Sequence, residues 1–211
     1  RRILDIGTGT GLLALLSAEK YPEALVTGVE IEEGAYLDAL GNFAASPYSE
    51  RLTAVHGDIR ELRDEEFDAV IVNPPYFTGN SQELRSEERR TARQDATLTD
   101  RDLRDAAVRL LREDGIFAIC LPPLRAPSFL RAAGGVLAPA EEISLIPREG
   151  KEEYLRIITL RRTGSGATCA RRTFTVRSAD GSYSREYLEA TDGIFLTREQ
   201  KAALRRELGK G

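Results

Sequence analysis

The sequence predicts an α/β domain on a mainly parallel sheet. Short apolar runs of strand length recur, segments of helical period separate them, and glycine, proline and acidic residues mark the boundaries. Arg2–Ile6 reads as a first strand, followed after glycines by the helical Leu12–Lys20. Leu25–Glu30 is a second strand, and Gly34–Ala45 a second helix closed by Ser46-Pro47. Leu52–His56 and Phe67–Val72 are the third and fourth strands. Thr99–Arg112 carries apolar residues at 103, 106, 107, 110 and 111, one face of a helix, and Asp114-Gly115 turns the chain into a fifth strand, Gly115–Leu121. Helices of this length between strands imply right-handed crossovers, hence parallel pairing with helices on both faces. Phe129–Gly135 then reads as a helix, and Glu142–Pro147 with Tyr154–Arg161 as an antiparallel pair at one edge, completing seven strands. Beyond the connection Thr163–Ala167, Arg172–Arg177 offers a further strand and Thr197–Leu208 a helix; Gln82–Asp95 lacks apolar periodicity and reads as a loop.

The chain of 211 residues is long enough for one domain with a real core. We divide it into a main domain, 1–162, and a C-terminal extension, 163–211, packed on the same domain and available for RNA contact. With 41% hydrophobic and 30% charged residues it has ordinary globular composition, and no apolar run approaches the roughly 18 residues of a membrane helix. A net charge of -4 argues against indiscriminate nucleic-acid binding while leaving room for a local basic patch. Cys120, Cys169 and the single histidine, His56, make too small a ligand set for zinc, and the two cysteines suggest no disulfide. The expectation is a cytoplasmic monomer without a metal. His56 reads as a strand-end cap. The chain starts at Arg1, opens directly on a core strand and contains no methionine, so we expect a preceding segment to be missing.

Asp5-Ile6-Gly7-Thr8-Gly9-Thr10-Gly11 lies between the first strand and the first helix, where glycines permit a tight turn and close approach of a ligand to the backbone. Leu12 stands where a dinucleotide fingerprint needs glycine, and no P-loop lysine follows. Glu30 ends the second strand, where a carboxylate can accept from both hydroxyls of a ribose. Asp58 follows the third strand and can accept from an adenine amino group. Together these residues describe a nucleoside pocket at the carboxyl ends of parallel strands, with Ile31 and Ile59 beside the acids. A ligand with an adenosine and no phosphate fits best: S-adenosylmethionine, with Asp5 near its sulfonium and amino group.

The fourth strand runs into Asn73-Pro74-Pro75-Tyr76-Phe77. An exocyclic amine on a heteroaromatic ring is a poor nucleophile because its lone pair is delocalised. Two acceptors aimed at its hydrogens, the Asn73 side-chain oxygen and the Pro74 carbonyl, favour a tetrahedral nitrogen whose lone pair faces the methyl donor. Tyr76 stacks on the base and the prolines stiffen the turn. "LDIGTGTG" with Glu30, Asp58, Asn73 and this turn resembles the class I methyltransferases that act on planar amino or amide nitrogens. The resemblance implies a Rossmann-like class I methyltransferase fold, a mainly parallel seven-stranded sheet with helices on both faces and an antiparallel edge.

The likeness extends through "TARQDATLT", "EDGIFAICLP", "NFAASPYSERL" and "RRTFTVRSADGSYSREYLEATDGIFL", over roughly residues 2–196, to the bacterial tRNA methyltransferases that modify adenine 37 in valine tRNA. It implies S-adenosylmethionine-dependent N6 methylation with tRNA as partner. Four departures stand out: the family's upstream cofactor-covering segment is absent, Gln94 replaces a histidine after Ala92-Arg93, Tyr48 replaces a tryptophan, and the expected terminal helix Thr197–Leu208 extends beyond the family's usual end. Methylation of a protein glutamine N5 and a non-catalytic RNA-binding module remain open as alternatives, since the same turn serves an amide nitrogen. For substrate contact the candidates are Pro75 and Phe77 at the base pocket, Arg93 with Arg85, Arg89 and Arg90 in the loop, and Arg161, Arg162, Arg171 and Arg172. The last four belong to the acid-free stretch 154–179, which also carries Arg156 and Arg177 and could neutralise phosphates.

Overall fold

Alternate residues of the strands face opposite ways, and in this chain both faces are apolar, so the strands are buried from both sides. Ile3 and Val26 pack with Ala14, Ala18, Ala39 and Phe43 on one face. Leu4, Ile6, Val70, Val72, Phe117 and Ile119 pack with Leu103, Ala107, Leu110 and Phe129 on the other. The computed structural model describes residues 1–63, 66–74, 98–164 and 168–191. Its elements are β1 (Arg2–Ile6), α1 (Leu12–Lys20), β2 (Leu25–Glu30), α2 (Glu33–Ala45), β3 (Leu52–His56), β4 (Phe67–Val72), α3 (Asp100–Leu110), β5 (Leu111–Leu121), α4 (Ala126–Ala133), β6 (Leu137–Ile146), β7 (Leu155–Arg162), β8 (Ala170–Thr175) and α5 (Arg185–Ala190).

Among the described residues the strands form one eight-stranded sheet in the order β3-β2-β1-β4-β5-β7-β6-β8. The first five strands are parallel, and β7 runs antiparallel to both β5 and β6. The expected antiparallel pair is therefore present, but it is not the rim: β8 adds an eighth strand, parallel to β6, and covers it. α1 and α2 cover one face, α3 and α4 the other.

Local chemistry sets the boundaries. Thr99 caps α3, accepting from the Asp102 N–H while the Asp102 carboxylate accepts from the Thr99 N–H, a reciprocal capping box. β5 begins at Leu111, four residues before the Gly115 expected to start it, because Leu111 already pairs with Phe67 ahead of a register shift. β8 spans Ala170–Thr175 rather than Arg172–Arg177, its register set by pairing with β6. α5 was not foreseen; Ser184 caps it by accepting from the Tyr187 N–H. The expected helix Thr197–Leu208 and loop Gln82–Asp95 lie outside the described residues.

Candidate active site

The strand register assembles the site. Ile6 of β1 is opposite Val29 of β2 on one side and Val72 of β4 on the other. The residues that follow, Gly7, Glu30 and Asn73, therefore emerge side by side at the carboxyl ends of three adjacent strands. Glu30 pairs with His56, and the Gly57 N–H donates to the Glu30 carbonyl at 2.9 Å, which brings Asp58 into the same row. Asp58, Glu30, the glycine loop and Asn73-Pro74 thus line one rim of the sheet, where open α/β sheets bind ligands.

The loop is held in a shape that only glycine adopts readily. Gly7, Gly9 and Gly11 have φ of 65, 56 and 86°. A Cβ added at Gly7 or Gly9 would meet nothing within 4 Å, so both face open space in front of the loop. At Gly11 the added atom would sit 2.4 Å from Phe43. Asn42 on α2 donates to the Thr10 carbonyl at 2.8 Å, fixing the far side of the loop.

Asp5 is 1% exposed; its carboxylate accepts from the Thr8 hydroxyl at 2.6 Å and from the Ala14 N–H in the first turn of α1. Burial pushes its carboxyl up to about 6, those two donors oppose the shift, and the nearby Glu30 adds to it. The Thr8 side chain lies over Gly28, where an added Cβ would come within 2.8 Å of it. That explains a glycine in the middle of a core strand.

Glu30 accepts from the Gly9 N–H at 2.9 Å through one oxygen, and from the Ile31 and Glu32 N–H groups at 2.9 and 3.0 Å through the other. It thereby ties the glycine loop to the end of β2. Asp58 is engaged by Arg60 through both oxygens, a pairing that holds its carboxyl below the usual range. Ile31 is 44% exposed and can flank a ligand, whereas Ile59 is 3% exposed and belongs to the core. Ile59 can therefore meet a ligand only through its backbone. His56 Nε2 lies 3.2 Å from the Ile31 carbonyl and its ring stacks on Tyr36 at 5.0 Å, a strand-end role.

Asn73 is exposed and Pro74 half-buried, both at the end of β4. Pro75, Tyr76, Phe77 and Arg93, with Arg85, Arg89 and Arg90, lie outside the described residues. Arg161 and Arg162 sit away from the glycine loop. β7 runs antiparallel to β5, which puts its last residues at the opposite end of the sheet. There Arg161 donates to the Asp114 carbonyl at 2.6 Å, and Arg162 to the Val108 and Leu111 carbonyls at 2.6 and 2.7 Å. Arg171 and Arg172 stand on the edge strand β8, against Glu142 and Glu141. Arg156 pairs with Glu153 and Glu142. Among the described residues no three His, Cys, Asp or Glu side chains gather as a metal site, and no helix is long and apolar enough to cross a membrane.

Four contributors carry no role in the sequence pattern: Gly28, Asn42, Arg60 and Arg109, whose guanidinium donates to the Ile59 and Leu62 carbonyls just after Asp58. A glycine within a strand is itself a signal, and Arg60 stands two residues after the acid it pairs with. Asn42 and Arg109 act across long sequence separations that leave no local trace.

The model of the methyltransferase small domain family matches residues 1–121. A tRNA1(Val) (adenine(37)-N6)-methyltransferase of Aeromonas hydrophila is 35% identical over 199 residues, 93% of this chain and 83% of the relative. The protein of that name from Yersinia pestis (strain Pestoides F) is 34% identical over 202 residues, 93% and 80% of the two chains. Among solved structures, a predicted O-methyltransferase of Agrobacterium tumefaciens superposes with a TM-score of 0.71 at 20% identity, covering 87% of this chain and 85% of that one. The glycopeptide N-methyltransferase MtfA complexed with S-adenosyl-L-methionine does so at 0.54 and 14% identity, covering 77% and 82%. The fold is shared with both. With the family model over more than half its length and these relatives over most of theirs, the chain belongs to the methyltransferase small domain family, among the tRNA1(Val) (adenine(37)-N6)-methyltransferases.

Proposed function

We propose that the chain transfers a methyl group from S-adenosylmethionine to the exocyclic N6 of an adenine in tRNA, adenine 37 beside the anticodon of valine tRNA. The observation that carries this reading is the row of Asp58, Glu30, Gly7 and Asn73 at four strand ends, an adenosine pocket abutting an acceptor turn. The residues fit the cofactor: open space faces Gly7 and Gly9, the acids Glu30 and Asp58 stand at adjacent strand ends where they can accept from hydroxyl and amino groups, and the buried Asp5 offers an anion to a cationic ligand. The relatives' name supplies the substrate class.

Bound there, S-adenosylmethionine supplies an electrophilic methyl on a sulfonium, an excellent leaving group. The chain's contribution is positioning. Asn73 Oδ1 and the Pro74 carbonyl accept from the two amine hydrogens, so the nitrogen lone pair is free to attack. Tyr76 stacks on the extruded base and Pro75 and Phe77 wall it. As the new N–C bond forms, the C–S bond breaks, and the surplus proton leaves to water. No strong base is required. We further propose that the protein acts as a cytoplasmic monomer and that residues 163–211 contact the RNA, with Arg171 and Arg172 on the edge strand as the basic contributors.

The test is incubation with labelled S-adenosylmethionine and unmodified valine tRNA, read by mass spectrometry of digested nucleosides. N6-methyladenosine is expected, and its absence would refute the assignment. Asn73→Ala should lower turnover at least 100-fold while leaving cofactor affinity within a few fold. Surviving activity would remove the turn from the mechanism.

A further inference from the structure

We propose that Arg60 competes with the cofactor's adenine for Asp58, a proposal that rests on the reading of Asp58 as acceptor of the adenine amino group. Arg60 Nε lies 3.0 and 2.8 Å from the two Asp58 oxygens and Nη2 lies 2.5 Å from Oδ2. The Arg60 backbone N–H donates to Oδ1 at 2.8 Å. An ionised carboxylate has about four lone-pair sites; Arg60 directs three N–H hydrogens at them, its Nε–H shared between both oxygens. An amino group arriving at Asp58 therefore competes with the guanidinium for its acceptor.

The backbone is not what yields. Arg109 reaches from α3 to donate to the Ile59 and Leu62 carbonyls at 2.7 and 3.0 Å, and the Glu61 N–H donates to the Asp58 carbonyl at 2.9 Å. Ile59 is locked in the core. The Arg60 side chain is 40% exposed against 16% for Asp58, so of the two side chains the guanidinium is the one placed to move. Adenosine binding thus carries the cost of an ion pair. For a partly exposed pair that cost is about 0.4–1 kcal/mol, roughly two- to fivefold in affinity.

Arg60 also weakens discrimination at the purine 6-position. A 6-amino group needs Asp58 as acceptor, whereas a 6-oxo group can accept from Arg60 without displacing it. Removing the guanidinium should therefore favour adenosine over inosine ligands.

Calorimetric titration of the 211-residue chain with S-adenosylhomocysteine and S-inosylhomocysteine tests this. Arg60→Ala and Arg60→Gln should bind S-adenosylhomocysteine about two- to fivefold more tightly than wild type. The inosine analogue should bind these variants equally or less well. Asp58→Ala should bind the adenosine ligand more weakly, and adding Arg60→Ala to it should change nothing more. Unchanged or weaker S-adenosylhomocysteine binding by both Arg60 variants, with wild type binding normally, would overturn the competition. Failure of wild type to bind S-adenosylhomocysteine at all would overturn the cofactor reading itself, and the proposal with it.

Discussion

Asp5 concentrates the conflict between stability and function in one side chain. Its carboxyl is buried, and desolvation raises it from an ordinary 3.8 to about 6. A raised folded-state value means that the folded protein holds this proton more tightly than the unfolded chain. The group's contribution to stability is thus fully present below about pH 3.8 and is lost as pH rises through about 6. Above that, ionised Asp5 costs roughly 3 kcal/mol. A cationic ligand reverses the preference, because a sulfonium favours the anion, so cofactor binding should weaken as pH falls through 6. Asp5→Asn should flatten this component of the stability profile between pH 4 and 7, measured by urea unfolding, and weaken S-adenosylmethionine binding about tenfold or more at pH 8. A variant keeping the wild-type profile in both measurements would free Asp5 of either role. Glu30 is the opposite case: the oxygens proposed to take a ribose already satisfy three backbone donors, so the residue serves the fold whether or not a ligand is bound. Glu30→Ala should cost about 1–3 kcal/mol in the ligand-free protein, read as a lower urea midpoint; unchanged stability would contradict the tie between loop and strand.

At the scale of elements, the glycine loop is shaped by its neighbours as much as by its own residues. Gly28 leaves room for Thr8, whose hydroxyl caps Asp5, and Phe43 of α2 closes on Gly11. Gly28→Ala would place a methyl 2.8 Å from the Thr8 side chain, which must then move off Asp5. The expected loss is about 1–3 kcal/mol in urea unfolding, with weaker cofactor binding; stability within about 0.5 kcal/mol of wild type would show that the loop yields freely. What the sequence makes legible follows the same line. β1, α1, β2, β3 and β4 occupy the expected residues because each is a continuous apolar run closed by glycine, proline or a charged turn. These elements carry or lead directly into Asp5, Glu30, Asp58 and Asn73, so the placement of these candidate residues along one rim is readable in advance. β8 is shifted by two residues because Ala170–Thr175 is mostly exposed, and only its ladder with β6 fixes it. α5 has six residues and too little periodicity to announce itself. The Arg60 pairing and the Arg109 anchor are tertiary contacts between charged residues, which composition reads only as solvated surface.

At the scale of the molecule, the sheet's two ends divide the arginines that a linear reading groups together. The acid-free stretch 154–179 looks like one phosphate-binding segment, but the chain reverses within it. Arg161 and Arg162 fall at the end away from the glycine loop, and their guanidinium groups tie the end of β7 to backbone carbonyls of α3 and β5. Arg171 and Arg172 lie on the rim strand, with Arg171's side chain 77% exposed and Arg172's 50%. Four strand spacings of about 4.8 Å separate β8 from β4, roughly 19 Å, a span that a folded RNA held at the Asn73 turn can bridge. Pairing with Glu141 and Glu142 lowers the positive field without removing it, since exposed pairs in water are weak. Arg162→Ala should therefore cost about 2–3 kcal/mol of stability and leave tRNA affinity within twofold. Arg171→Ala combined with Arg172→Ala should be nearly neutral for stability. The double variant should weaken tRNA binding across sequences and lower the slope of log affinity against log salt by about 1–2. The check is tRNA binding at several salt concentrations beside urea unfolding of the same variants. A tRNA defect in Arg162→Ala larger than that of the double variant would move the RNA to the other end of the sheet.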